Sequence, residues 1–246
     1  MRVLRNIKIA IKYKIFFLQN IFSIGFLCAL LLPGCNSSSQ FHIEDLAKTN
    51  IDDVSQIHMD RVYNLVKTMT IKLYKKNPSE LHKSPGQTID SRLNQIFNCP
   101  DDSGKKYKEL DYKESTDSIL LGFKSEFKGD RVFAMMYGLF TMIYKSYNSK
   151  CELFMFDYLN SQNLYNSARN IEILVWRLKT RKKDDGSLFI LTNTLKGEVK
   201  NLSYERIFGK LISLQDTMAQ IISNRSGRVI KEVLQIAGMS FLPIGI

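Results

Sequence analysis

The feature that most constrains the fold is a long stretch without proline, since none occurs between Pro100 and Pro243. Proline removes a backbone N–H donor and breaks the interior of a helix, so its absence lets long helices run through more than half of the chain. The composition is that of a folded protein, because 44% of the residues are hydrophobic and 24% are charged. We therefore expect a mainly α protein.

Apolar residues recur at helical spacing in several segments, and the unbroken apolar run over 132–143 predicts a central helix that is packed on several sides. The predicted helices cover 51–76, 88–98, 116–127, 129–147, 161–181, 203–224 and 228–239. Segments 153–158 and 188–192 are rich in aromatic or branched residues and have the composition of strands. The predicted fold is an irregular bundle of about six or seven helices with minor β content.

The first 35 residues consist of a basic stretch over 1–14, an apolar stretch over 15–32 and a short end over 33–35. This order is typical of a secretory signal peptide. The alternative is a transmembrane helix, which needs about 20 apolar residues. Three polar residues, Gln19, Asn20 and Ser23, interrupt the apolar stretch and favour the signal peptide.

The residues Leu32-Pro33-Gly34-Cys35 resemble a lipobox, the motif that the bacterial lipoprotein signal peptidase reads. The resemblance covers residues 1–35 alone. It implies diacylglyceryl modification of the Cys35 thiol, cleavage after Gly34 and acylation of the new amino terminus. Pro33 is a less usual residue at the middle position, but it ends the preceding helix and so suits an extended cleavage site.

The same resemblance divides the chain into a signal peptide over 1–34, a lipid anchor and flexible tether over 35–48, and a single helical globular domain over 49–246. Two or three acyl chains anchor a protein stably to a membrane, so Cys35 implies a membrane partner without a spanning helix. Asn36 stands where lipoproteins retained in the inner membrane typically carry aspartate. Similarity to that sorting pattern implies the outer membrane, with the domain facing the periplasm.

The net charge of +11 is concentrated near the start of the chain. Five basic residues precede Cys35 and no acidic residue occurs before Glu44, so 30 basic and 24 acidic residues remain in the mature part. A surplus of this size gives only weak attraction to anionic surfaces. We expect no nucleic-acid partner.

Four cysteines occur in the chain, and processing would leave two of them to pair. Cys28 would leave with the signal and Cys35 would carry the lipid, so Cys99 and Cys151 remain. Because the periplasm permits disulfides, we expect these two to form one, with two separate buried thiols as the alternative.

The short motifs of common enzymes are absent: the sequence has no HExxH, no GxSxG and no GxxxxGK[ST]. The three histidines, His42, His58 and His82, fit structural or solvated positions better than catalytic ones. We therefore expect no catalytic residue, no cofactor and no metal, and a non-enzymatic role is favoured.

The densest polar cluster lies in the helix predicted over 161–181. Asn163, Asn166 and Asn170 share one face at helical spacing, with Arg169 and Glu172 on an adjoining edge. One interpretation is a hydrogen-bonding groove for a polar ligand such as a glycan. We favour the other, an interhelical polar network in which Arg169 and Glu172 form an ion pair.

Two further segments are candidate surfaces. The basic run Arg177, Lys179, Arg181, Lys182 and Lys183 falls at the end of the same helix, where cations complement the helix dipole and are usually solvated. A lipid headgroup contact is the alternative. The apolar segment over 241–246 is expected to dock on the core, and it is the best candidate for a partner surface if it is exposed.

These observations favour a lipoprotein of the outer membrane whose periplasmic helical domain has a structural or protein-interaction role, with an envelope protein as its partner. The first alternative is a lipid- or glycan-binding carrier. The second is a cell-wall hydrolase without a short sequence signature, which requires two carboxylates about 5–10 Å apart in one cleft.

Overall fold

The computed structural model describes residues 50–98, 106–153, 158–193, 202–232 and 240–245. All of them belong to one compact unit, Leu46–Ile246. The predicted signal peptide and tether, with Cys35 and His42, lie outside the described residues, as does Cys99.

The described part of the chain is mainly helical, which confirms the predicted fold class. Its helices are α1 (Asn50–Lys76), α2 (Pro78–Leu81), α3 (Ile89–Phe97), α4 (Ser115–Gly122), α5 (Arg131–Ser146), α6 (Ser161–Thr180) and α7 (Ser203–Ser226), with a 3-10 turn at Lys108–Leu110. Within these described ranges, none of the helices has the length and apolar character needed to cross a membrane.

Five helices, α1, α3, α5, α6 and α7, begin and end within two residues of their predicted bounds. At α3 a local cap accounts for the start. At the start of α3 the Thr88 hydroxyl accepts a hydrogen bond from the Ser91 backbone N–H at 3.1 Å, and the Ser91 hydroxyl accepts one from Thr88 N–H at 2.8 Å. This capping box fixes the helix start.

Helix α4 is shorter than predicted, because it ends at Gly122 and not at Phe127. The buried Arg131 guanidinium donates hydrogen bonds to the carbonyl oxygens of Gly122 (2.8 Å), Lys124 (2.8 Å) and Phe127 (2.6 Å). Carbonyl oxygens that accept from this cation do not accept the hydrogen bonds of a continuing helix, so α4 ends and a turn follows.

The segment between α1 and α3 contains the short helix α2. It begins at Pro78, and proline is well suited to the first helical position.

The predicted strand over 188–192 is wrong, since this segment forms only an isolated antiparallel bridge between Lys182 and Leu188. Its backbone is bonded to a helix end instead: the Asn77 side chain accepts from Leu191 N–H at 2.8 Å and donates to Leu191 C=O at 3.0 Å. For the other predicted strand, residues 154–157 lie outside the described part.

The predicted last helix over 228–239 is wrong at its start, because residues 228–232 are not helical. Gly227 takes a left-handed conformation with φ +65° and ends α7. Residues 233–239 lie outside the described part.

Helix α5 is the centre of the bundle, as predicted, since every side chain over 132–143 is buried. It packs most extensively against α4 and also contacts α1, α3 and α6, while α6 pairs with α7. Gly138 permits the close approach of α4, because a Cβ at this position would lie 2.6 Å from the Ser115 carbonyl oxygen and 2.7 Å from Ile119 N.

A buried polar cluster joins the helices around the start of α5. The side chain of Arg92 has no exposed surface; its Nε lies 3.3 Å from Asp130 Oδ2, and its two terminal nitrogens contact Glu109 at 2.7 and 2.8 Å. Asp130 also accepts hydrogen bonds from the Tyr74 hydroxyl at 2.8 Å and from Phe133 N–H at 2.9 Å. Burial raises the pKa of Asp130, while these bonds and Arg92 lower it. One carboxylate thus connects α1, α3 and α5.

Replacement of Asp130 by alanine should destabilise the fold by about 3–5 kcal/mol, because it leaves the buried Arg92 charge without one of its partners and removes the cap of α5. Urea denaturation followed by circular dichroism measures the loss. The matched control is Asp53→Ala, an exposed aspartate in the first turn of α1, which should cost less than about 1 kcal/mol. Equal losses in the two variants would contradict this account.

Candidate functional site

The candidate site is a row of amide side chains along α6, formed by Gln162, Asn163, Asn166 and Asn170 and called here the amide row. The side chain of Asn160 caps the helix by accepting from Gln162 N–H at 2.9 Å and so fixes where the row begins. The three asparagines of the row are buried, and Asn170 has no exposed surface. Buried amides of this kind need hydrogen-bond partners.

Their partner is the apolar segment over 240–245, called here the tail. Asn170 bonds both backbone groups of Leu242: its Oδ1 accepts from Leu242 N–H at 2.7 Å and its Nδ2 donates to Leu242 C=O at 2.9 Å. Asn166 Nδ2 donates to the Pro243 carbonyl at 2.8 Å, and Asn163 Nδ2 donates to the Gly245 carbonyl. The tail therefore runs antiparallel to α6.

The tail is also held by two apolar side chains. Phe241 and Ile244 are partly buried against the hydrophobic core, whereas Pro243 and Gly245 are exposed. The guanidinium carbon of Arg177 lies 5.2 Å from the centre of the Phe241 ring. The tail is thus held by backbone hydrogen bonds and by two partly buried apolar side chains.

Gln162 extends the same device to the segment after α7. Its Oε1 accepts from Lys231 N–H at 2.8 Å, and its Nε2 donates to Lys231 C=O at 3.1 Å. The same Nε2 donates to Asn166 Oδ1 at 2.9 Å and so orients the next amide of the row. Two extended segments are therefore bound along one helix.

On the adjoining edge of α6, Arg169 lies between two carboxylates. Its Nη2 is 3.1 Å from Glu172 Oε1 and 2.6 Å from Asp216 Oδ2 on α7, and its guanidinium carbon lies 4.9 Å from the centre of the Tyr165 ring. Burial raises the pKa of both carboxyl groups, and the charge of Arg169 opposes that shift. The structure thus has the expected contact between Arg169 and Glu172, whereas the asparagines bind the tail and not a neighbouring helix.

A cleft of about 630 Å³ opens beside Arg169, between α6, α7 and the segment over 227–232. Its lining includes Tyr165, Asp216, Arg228 and Glu232, so it is polar and charged. The two carboxylates at Arg169 do not resemble a hydrolase pair, because the guanidinium nitrogen that both contact fills the space where a substrate would have to lie.

In comparisons with models of protein families, with curated proteins and with solved structures, no match to this chain is found. Interpretation of the site therefore rests on its own geometry. Within the described ranges, no group of three or more histidine, cysteine or acidic side chains is placed to hold a metal ion.

The remaining candidate residues lie apart from the amide row. His58 lies in α1, where burial lowers its pKa against the opposing effect of a hydrogen bond with the Leu214 backbone, and His82 is exposed at the end of α2. Cys151 is disulfide-bonded, and because Cys99 lies outside the described residues their pairing stays a prediction.

The predicted basic run divides into two parts. Arg177 packs on Phe241 and Lys179 Nζ lies 3.4 Å from Glu205 Oε1, whereas Arg181 and Lys182 are exposed.

The sequence pattern placed the asparagines on one face of the helix, but it indicated neither Gln162 as a member of the row nor the tail as its partner. Two features of the sequence could have indicated this arrangement. One is a fourth amide residue directly before Asn163, and the other is an apolar segment without charged residues near the end of the sequence.

Replacement of Asn170 by leucine should loosen the tail, because it removes both bonds to Leu242 while it preserves the volume of the side chain. Two lost bonds of about 1 kcal/mol each should speed hydrogen exchange of the tail amides by about tenfold or more. Hydrogen–deuterium exchange with mass spectrometry measures this. Asn94→Leu, an exposed asparagine of α3, is the control and should leave tail exchange unchanged; equal exchange in the two variants would refute the role of Asn170.

His58 should make the fold less stable in mild acid. Since burial lowers its pKa from 6.5, the unfolded chain binds the proton more tightly than the folded chain, and stability falls as the pH drops below 6.5. His58→Gln should reduce this fall, measured as the free energy of unfolding in urea between pH 7 and 5. Parallel curves for the wild type and the variant would show that His58 contributes nothing to it.

Proposed function

We propose that this protein is a lipoprotein of the bacterial outer membrane, anchored by acyl chains on Cys35, whose periplasmic helical domain serves as a protein-interaction module. The order of residues 1–35 supports the export and the anchor. The disulfide at Cys151 is in keeping with an oxidising compartment such as the periplasm.

The observation that carries the interaction role is the amide row. Four side chains on one helix bind the backbone of extended segments, and main-chain hydrogen bonds are a general means of recognising extended peptides. Apolar contacts at Phe241 and Ile244 supply selectivity beside the backbone bonds. A helix that binds polypeptide in this way suits a protein partner.

A second candidate function is glycan binding in the cleft beside Arg169. Its volume of about 630 Å³ is that of a small-molecule site, and an aromatic ring, carboxylates and amides line it. This charged lining favours a polar ligand over a lipid. A hydrolase role is disfavoured, because Arg169 fills the space between the carboxylates of Glu172 and Asp216.

The anchor is tested by mass spectrometry of the full chain extracted from membranes. We expect the processed protein to begin at Cys35 and to carry acyl groups on that residue, whereas Cys35→Ser should keep residues 1–34 and carry no lipid. Cys28→Ser is the matched control, because that cysteine lies within the predicted signal and its loss should leave processing intact. An unmodified Cys35 in the wild type would overturn the anchor.

The same extract tests the interaction role after chemical cross-linking in intact cells. A partner that depends on the amide row should be recovered with the wild type and with Asn94→Leu, and its yield should fall with Asn170→Leu. Equal recovery with all three chains would place the partner surface elsewhere on the domain and refute the role assigned to the row.

A further inference from the structure

The tail is bound in a way that lets it leave and be replaced. Its four hydrogen bonds with the asparagines all involve backbone groups, at Leu242, Pro243 and Gly245. Backbone bonds of this kind do not depend on covalent linkage to the same chain. The side chains that add selectivity, Phe241 and Ile244, are only partly buried.

The surface that the tail covers on α6, called here the groove, nevertheless requires an occupant. Asn170 has no exposed surface, and Asn163 and Asn166 are 6% and 7% exposed while the tail is bound. Without the tail, these amides would lose their partners and the apolar surface under Phe241 and Ile244 would face water. Loss of these hydrogen bonds and hydration of the apolar surface raise the free energy of the empty groove, so the groove is more stable when it is occupied.

We propose that the amide row is an exchangeable site and that its partner is a second copy of this chain, whose residues 240–245 take the place of the resident tail. This inference rests on the proposed interaction role and names the partner. The structure displays the fit of the tail to the groove, and every copy carries this segment.

Exchange between copies preserves every contact of the groove, since the same residues meet in the same geometry. The free-energy difference between the two states is then set by concentration: a tethered segment acts at millimolar effective concentration, and a second copy competes when copies are crowded. Lipid anchors would hold the copies on one surface at high density. Residues 240–245 carry no charged side chain, so the tail adds no charge repulsion between two basic domains.

The exchanged part begins beyond Lys231. Gln162 bonds both backbone groups of Lys231, and the Ser223 hydroxyl donates to the Arg228 carbonyl at 2.5 Å, so the chain that follows α7 is tied to its own α6 and α7. The release of Leu242 from Asn170 leaves these bonds in place. A copy that gives its tail to a neighbour therefore keeps its own helical domain intact.

Two full-length variants test the exchange by complementation. Leu242→Pro removes the N–H that binds Asn170 and so provides an intact groove with a disabled tail, whereas Asn170→Leu provides a disabled groove with an intact tail. The two chains are purified separately in detergent, mixed in equal amounts and examined by native mass spectrometry and sedimentation. We expect a one-to-one complex of the two variants. Its yield should exceed the yield of dimer from either variant alone by about tenfold or more.

Two controls establish that the complex forms through the groove. A chain that carries both Asn170→Leu and Leu242→Pro offers no intact tail and should not associate with Leu242→Pro. Excess synthetic peptide with the sequence of residues 240–246 should compete for the groove and dissociate the complex. Association that survives either control would overturn the proposal.

Absence of a complex, while both chains retain wild-type helix content and melting, would also overturn the proposal. If either variant fails to fold, Asn166→Leu and Phe241→Ala form a milder pair with the same logic. Because mixing takes place in detergent solution, the result does not depend on the lipid at Cys35. Failure of the exchange and failure of the proposed anchor are thereby distinguished.

Discussion

The paired hydrogen bond between a side-chain amide and the backbone of one residue ties three described non-helical segments to the helices. Buried N–H and C=O groups need partners, and the described residues contain almost no strand to provide them. Three amides supply both bonds instead: Asn77 to Leu191, Gln162 to Lys231 and Asn170 to Leu242. Each extended segment is thus bonded to a helix, in the manner of a strand beside its neighbour.

The fold separates the charged cluster around Asp130 from the amide row. Asp130 and Arg92 are buried at the start of α5, and together with Tyr74 and the more exposed Glu109 they hold α1, α3 and α5 together. Because α5 is buried along most of its length, it has no face left for a ligand. The amide row lies on α6, which pairs with α7, and the cleft beside Arg169 opens between these two helices.

The sequence was sufficient for most helices because their apolar periodicity is a local property, and the caps at Thr88 and Asn160 are local as well. It was misleading at 188–192, where the composition favours a strand but the partner of Leu191 is the side chain of Asn77. The amide row was visible as one polar face of a helix. Its occupant was not, since Leu242 is 72 residues from Asn170 and nothing local indicates which segment will meet that face. Arg92 gave no signal either, because its burial depends on distant carboxylates.

In the proposed interaction role, the chemistry of the amide row sets the specificity of recognition. Bonds to backbone groups accept any extended residue that has an N–H at the position of Leu242, so affinity from the amides tolerates changes in side chains. Discrimination falls on Phe241, whose ring lies under Arg177, and on Ile244 against the core. Partial burial lowers the pKa of Arg177, and the aromatic ring beside this cation offsets part of the cost of its desolvation. A segment without an aromatic residue at this position leaves Arg177 uncompensated, which favours the chain's own tail sequence over other apolar peptides.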